Sequence, residues 1–181
     1  THGNWVGTYG TKGYVLFANP DNETDTAALP PSVANVTVHR RADESAKATI
    51  RAQTWSLLDA GVAALMTPPN STIAPAVGVK ESSNPLACTQ TLKMDVELAP
   101  GASGPLRTTL YAADVGIMGR EMVVEAFDLA TLNVVAPWQR VTDFARGAYL
   151  TWEYDRSLRL RVSYIRAVDG VDTGLSAVFF D

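Results

Sequence analysis

Alternation at period two constrains this chain more than any other feature. In Leu92-Lys93-Met94-Asp95-Val96-Glu97-Leu98 every second residue is apolar and each one between is charged. Successive side chains of a strand point to opposite faces, so this pattern fits a strand with one face on a core and the other in water. Leu158, Leu160, Val162 and Tyr164 alternate with Arg159, Arg161 and Ser163 in the same way, and Leu150, Trp152 and Tyr154 alternate with Thr151 and Glu153. Strands buried on both faces read as continuous apolar runs, so the alternation predicts antiparallel sheet.

Further strands are expected at Tyr14 to Phe17, Asn35 to His39, Thr49 to Trp55, Val77 to Lys80, Thr108 to Ala113, Met122 to Phe127, Leu132 to Ala136 and Ser176 to Phe180. Turn residues separate them, among them Asn19-Pro20-Asp21, Pro68-Pro69-Asn70, Pro100-Gly101, Arg146-Gly147 and Asp169-Gly170. About ten short strands with loops between them read as an all-β sandwich or barrel. At most one short helix is expected, over Ser56 to Met66, where Leu57, Leu58, Val62 and Leu65 recur at near-helical spacing around Gly61.

The 181 residues fit one domain spanning 1–181, and no composition break divides them. With 46% hydrophobic and 19% charged residues the chain has the balance of an ordinary folded protein. A formal net charge of −4, with the basic residues dispersed, gives no long-range attraction for nucleic acid. No apolar run reaches the roughly 18 residues a membrane helix needs, so no membrane insertion is expected.

Three N-x-S/T sequons, at Asn22, Asn35 and Asn70, stand in the first part of the chain and none in the rest. They make these asparagines candidate glycosylation sites and point to an extracellular or cell-surface location. Cys88 is the one cysteine, so it is either a small buried residue or the partner of a cysteine outside this chain.

Four blocks carry a resemblance to a known type of module. Gly3-Asn4-Trp5-Val6-Gly7-Thr8-Tyr9-Gly10 followed by Gly13-Tyr14 resembles the GxWxGxYGxxGY start of a β-sandwich domain found in multidomain extracellular proteins and beside glycoside hydrolases. Leu110-Tyr111-Ala112-Ala113-Asp114 with Arg120 is similar to its LYxxDxxxxxR segment, and Phe144 to Trp152 is similar to its FxxGxYLxW pair. Gly174 to Phe180 resembles its GxxSGxFF close, with Ala177 where glycine is usual. The resemblance implies a galactose-binding-like jelly roll, a fold widely used by carbohydrate-binding modules, and one module of a larger protein. The stretch from Asp43 to Lys80 departs most from the pattern. In the opening block, Gly3, Gly7, Gly10 and Gly13 give permissive backbone around Trp5, Tyr9 and Tyr14, as an edge strand turning over a sandwich end needs.

Catalytic constellations are not evident. His2 and His39 are the only histidines, and neither has a metal-binding or triad spacing. A retaining glycosidase needs only two carboxylates about 5 Å apart, and the 19 acids carry no distinctive motif. Asp21, Asn22, Glu23 and Asp25 form the loop best able to hold a structural calcium of the kind common in this type of jelly roll. No cofactor is assigned.

Asp114 and Arg120 flank the turn containing Gly116 and Gly119. They are either a loop clamp, the carboxylate paired with the guanidinium, or a pair of sugar contacts. Trp55, Tyr111 and Trp138 are the candidate aromatic platforms for a pyranose, Trp138 following Pro137 between two expected strands. Trp5 and Trp152 occupy patterned apolar positions and read as core. Three functions follow: a non-catalytic extracellular carbohydrate-binding module, with a glycan as partner; a structural or adhesive module, with a cell-surface protein as partner; and an unrecognised glycoside hydrolase.

Overall fold

The computed structural model describes residues 3–17, 25–39, 50–54, 66–67, 72–73, 77–81, 91–114, 119–166 and 174–181. In chain order the strands are β1 Gly13–Leu16, β2 Thr26–Ala28, β3 Val33–His39, β4 Ile50–Thr54, β5 Met66–Thr67, β6 Thr72–Ile73, β7 Val77–Glu81 and β8 Thr91–Leu98. They continue with β9 Leu106–Ala112, β10 Glu121–Asp128, β11 Val134–Thr142, β12 Ala148–Tyr154, β13 Leu158–Arg166, β14 Gly174–Leu175 and β15 Ala177–Phe180. No helix occurs among the described residues. The helix expected over Ser56 to Met66 lies outside them, except for Met66, which opens β5.

Two five-stranded antiparallel sheets, ordered β12-β9-β15-β1-β2 and β11-β10-β13-β8-β3, pack face to face as a β-sandwich. A three-stranded sheet β14-β7-β4 and the pair β5-β6 complete the described strands. The alternating residues meet where the pattern demands. Leu92, Met94 and Val96 of β8, Leu158, Leu160 and Val162 of β13, and Met122, Val124 and Ala126 of β10 are fully buried from one side. Leu110, Leu150, Trp152, Val178 and Phe180 meet them from the other sheet.

The first sheet is covered on its outer face as well. Trp5, Leu16, Tyr111, Ala177 and Phe179 form a second cluster there, with Tyr9, Tyr14 and Tyr149 packed against it. The opening glycine block is therefore not an edge strand. It forms turns over the sheet, dropping Trp5 to 4.7 Å from the Phe179 ring and stacking Tyr9 on Tyr149 at 4.3 Å. Gly13 has no room for a side chain, since a Cβ would come within 2.6 Å of the Pro30 ring. Phe179 thus points outward, while its neighbours Val178 and Phe180 enter the main core.

The outer face of the second sheet is a set of ion pairs. Asp95, read from the alternation as a solvent-facing charge, is only 5% exposed. Its strand neighbours cover it: Arg159 donates Nε and Nη2 to the two carboxylate oxygens, both at 2.7 Å, and His39 Nε2 lies 2.8 Å from Oδ2. Arg161 makes the same fork to Glu125 and sits 5.1 Å over the Phe127 ring. Burial alone pushes the Asp95 carboxyl up, but Arg159 and His39 outweigh it and hold it below the usual carboxylate range.

A folded-state pKa below the unfolded one gives stability that is complete at neutral pH and is lost as the pH falls through the folded value. Thermal melts taken down from pH 7 are expected to show Asp95→Asn destabilised by about 2 kcal/mol at neutral pH, the scale of hydrogen bonds to a charged group. The variant then loses less than the wild type below about pH 4, where ordinary carboxylates protonate. Parallel acid limbs in the two proteins would remove Asp95 from the pH dependence.

Candidate functional site

On the side where β11 and β12 form the free edges of their sheets, the sandwich opens into a groove of about 820 Å³. Its floor is the flank of the core, Trp152, Tyr154 and Leu158, and its upper wall is the outward run of β11 from Val134 to Gln139. Tyr154 is fixed by its hydroxyl, which donates to Thr108 Oγ1 at 2.6 Å, and burial pushes that hydroxyl's pKa up.

The wall owes its shape to two irregularities in the β10–β11 ladder. Register runs Val124 to Gln139, then Ala126 to Ala136, then Phe127 to Val134, with shifts at both steps. Pro137 and Trp138 together face the single residue Glu125. An extra residue of this kind bends a strand and re-aims its side chains. Trp138 is turned into solvent beside the groove and is 62% exposed. The strand expected over Leu132 to Ala136 ends before Trp138. β11 instead runs through Pro137, because an edge strand has one side free of pairing and tolerates a residue without an N–H there.

One end of the groove is closed by the β10–β11 turn. Asp128 Oδ1 accepts the amides of Ala130 at 2.9 Å and Thr131 at 2.8 Å, and the Leu132 amide returns to the Asp128 carbonyl. The Thr131 amide is the foremost reason the Asp128 carboxyl is held below its usual range. Leu132 carries a positive φ of 59° to complete the turn. From the β12–β13 turn, Arg156 reaches Asp155 at 3.0 Å and Asp128 at 3.6 Å, tying the two turns together. Asn133, Gln139 and Glu153 add an amide, a second amide and a carboxylate to the lining. An exposed indole beside hydroxyl-binding groups suits a ligand with one apolar face and a polar periphery.

Of the candidate ligand residues from the sequence that are among the described ones, Trp138 alone borders this groove. Tyr111 is fully buried in the outer cluster of the first sheet, its ring 4.7 Å from that of Tyr149, so it offers no face to a ligand. Asp114 and Arg120 do come together. They form a buried clamp: Arg120 donates Nη1 to Asp114 Oδ1 at 2.6 Å and its own amide to Oδ2 at 3.1 Å, with side chains 11% and 3% exposed. Neither lines the groove. Trp55, Asn22, Asn70 and Cys88, and Asp21 and Glu23 of the expected calcium loop, lie outside the described residues. No cluster of metal-ligating side chains occurs among the described ones.

No family model matches the chain, and no curated protein matches it in sequence. Among solved structures it is similar to a family 35 carbohydrate binding module from Clostridium thermocellum, at 12% identity over 81% of this chain and 98% of that one, TM-score 0.36. It is similar also to CBM28, a carbohydrate-binding module specific for non-crystalline cellulose, at 12% identity over 85% of this chain and 91% of that one, TM-score 0.38. The enzymatically active domain of bacteriophage CBA120 tailspike protein 4 matches at 8% identity over 81% of this chain and 19% of that one, TM-score 0.39. Likenesses this distant carry neither a ligand nor a residue role across to this chain.

Sequence reasoning missed Asn133, Gln139, Glu153, Asp155 and Arg156 as groove residues. They belong to two edges in different sheets, which only the packing brings side by side. The turn Asp155-Arg156-Ser157 between two alternating runs was the one local signal.

Proposed function

We propose that this chain is a non-catalytic carbohydrate-binding module of an extracellular protein, and that the β11–β12 groove is its glycan site. The observation that carries this is Trp138, an indole held in solvent by a strand bulge at the wall of a groove lined with amides and carboxylates. Its face stacks on the C–H face of a pyranose while the lining groups exchange hydrogen bonds with the hydroxyls. Six consecutive residues of β11, Val134 to Gln139, line the groove. Their ladder partners run only from Val124 to Phe127, so at about 3.3 Å per step the wall is roughly 10 Å long.

A glycan array on the 181-residue domain, followed by calorimetry on the best binder, tests the reading. Trp138→Ala is expected to weaken that binder at least tenfold, about 1.4 kcal/mol, with a melting midpoint close to the wild type. Unchanged affinity in the variant would remove the groove from glycan binding. A second reading, a protein docking on this edge, is favoured by exposed Leu132, Val134 and Val135 beside Trp138. An empty array would leave it the stronger of the two.

The extracellular assignment draws on the sequons. Asn35 is exposed on β3, the edge strand at the opposite end of the sheet from β11, and donates to the hydroxyl of its own sequon threonine, Thr37, at 2.9 Å. A glycan there would blunt a free strand edge and leave the groove open. Intact mass of protein secreted from eukaryotic cells is expected to fall on enzymatic deglycosylation, with Asn35 converted to aspartate. An unmodified Asn35 peptide would count against it.

A further inference from the structure

We propose that the groove selects uncharged glycan chains and turns away those bearing carboxylates, an inference that rests on the glycan reading above. The described lining holds three carboxylates, Asp128, Glu153 and Asp155, against one guanidinium, Arg156. Arg156 is already committed. Its Nε and Nη2 lie 3.1 and 3.0 Å from Asp155 Oδ1, and its Nη1 points to Asp128 at 3.6 Å.

The other feature that would welcome an anion is a pair of neighbouring backbone N–H groups directed at one point. The β10–β11 turn has such a pair, the amides of Ala130 and Thr131. The protein's own Asp128 carboxylate occupies it. A uronic or sialic acid entering the groove finds both anion-binding devices filled and meets the Glu153 carboxylate, whose ladder neighbour Arg107 is not part of the lining. It also approaches a chain of net charge −4. Neutral hydroxyls meet no such obstacle, because carboxylates and side-chain amides are good acceptors for them.

The experiment titrates the wild-type domain with pairs of β-linked oligosaccharides of equal length, one neutral and one carboxylated at C6, at low and high ionic strength. The expected result is binding of a neutral member with its carboxylated partner at least tenfold weaker at low salt. The gap should narrow as salt shortens the Debye length from about 30 Å at 0.01 M towards about 3 Å at 1 M. The double variant Glu153→Gln with Asp155→Asn frees Arg156 from Asp155, though not from Asp128, and removes two charges, so the gap should narrow there at low salt too. Because the ratio is read within each protein, a general loss of affinity in the variant does not disturb it. Equal or tighter binding of the carboxylated member overturns the proposal while leaving the glycan site standing. So does a gap insensitive to both salt and substitution. Binding of neither member in any pair overturns the glycan reading and this inference together.

Discussion

Gly147→Ala lowers the thermal midpoint by about 10 °C, while Gly101→Ala lowers it by about half as much. Both glycines have a positive φ, 88° and 80°, so alanine at either meets the left-handed penalty of roughly 1–2 kcal/mol. They differ in what surrounds them. A Cβ on Gly101 would meet nothing within 4 Å, whereas one on Gly147 would press on the Tyr111 hydroxyl and come within 2.6 Å of its Cε2 and Cζ. Tyr111 has nowhere to go, being fully buried between the core and the ring of Tyr149. The turn is held from the other side too, since the Gly147 amide donates to the Phe144 carbonyl at 2.9 Å. Overpacking of this sort adds about 1–3 kcal/mol. A domain of this size loses about 2–4 °C per kcal/mol, so the two costs together give the stated shift. Tyr111→Phe in the Gly147→Ala background recovers part of it by removing the hydroxyl. Equal melts for the Gly147 and Gly101 variants would show that the turn yields and the ring contact costs nothing.

The same tyrosine shows where the sequence is legible and where it is not. Alternation identified Leu92, Met94, Val96, Leu158, Leu160 and Val162 as core residues, because a charge between each apolar pair fixes which face is wet. In Thr108-Thr109-Leu110-Tyr111-Ala112 no charge stands between the apolar residues, and the strand is buried on both faces. That lack of charge was the available sign that Tyr111 is packed from above and not offered to a ligand. What covers it, the turns around Trp5 and Tyr9, lies about a hundred residues away in the chain. Trp138 was legible for a local reason, an aromatic beside a proline outside any alternating run. The rest of the groove was not, since no pattern within β11 or β12 tells which sheet edges adjoin. Asp95 marks the same limit, its charge covered by side chains from β3 and β13 that only the sheet order brings beside it.

Arg120→Ala is expected to cost about 3 kcal/mol, the scale of breaking a buried pair by removing one partner. The midpoint then falls by about 6–12 °C, and groove binding at room temperature stays as it was. Asp114 lies two residues beyond the end of β9, its amide donating to the Phe144 carbonyl at 3.0 Å, so its backbone is pinned and the carboxylate cannot swing to water. At 3% exposure the carboxylate depends on Arg120 for a charged donor and a backbone donor. Truncation to alanine keeps the backbone bond and removes the guanidinium, leaving a desolvated negative charge on one neutral N–H. Were the pair in solvent, the same change would cost under about 1 kcal/mol. Arg120→Lys should fall between wild type and alanine, because an ammonium restores the charge without the fork. Asp114→Asn with Arg120→Ala should be more stable than Arg120→Ala alone, since no unpaired charge is then buried. These melts separate a clamp from a ligand contact. An unchanged midpoint in Arg120→Ala together with lost glycan binding would transfer Asp114 and Arg120 from the fold to a binding site, and Trp138 would lose its place as the residue that defines the groove.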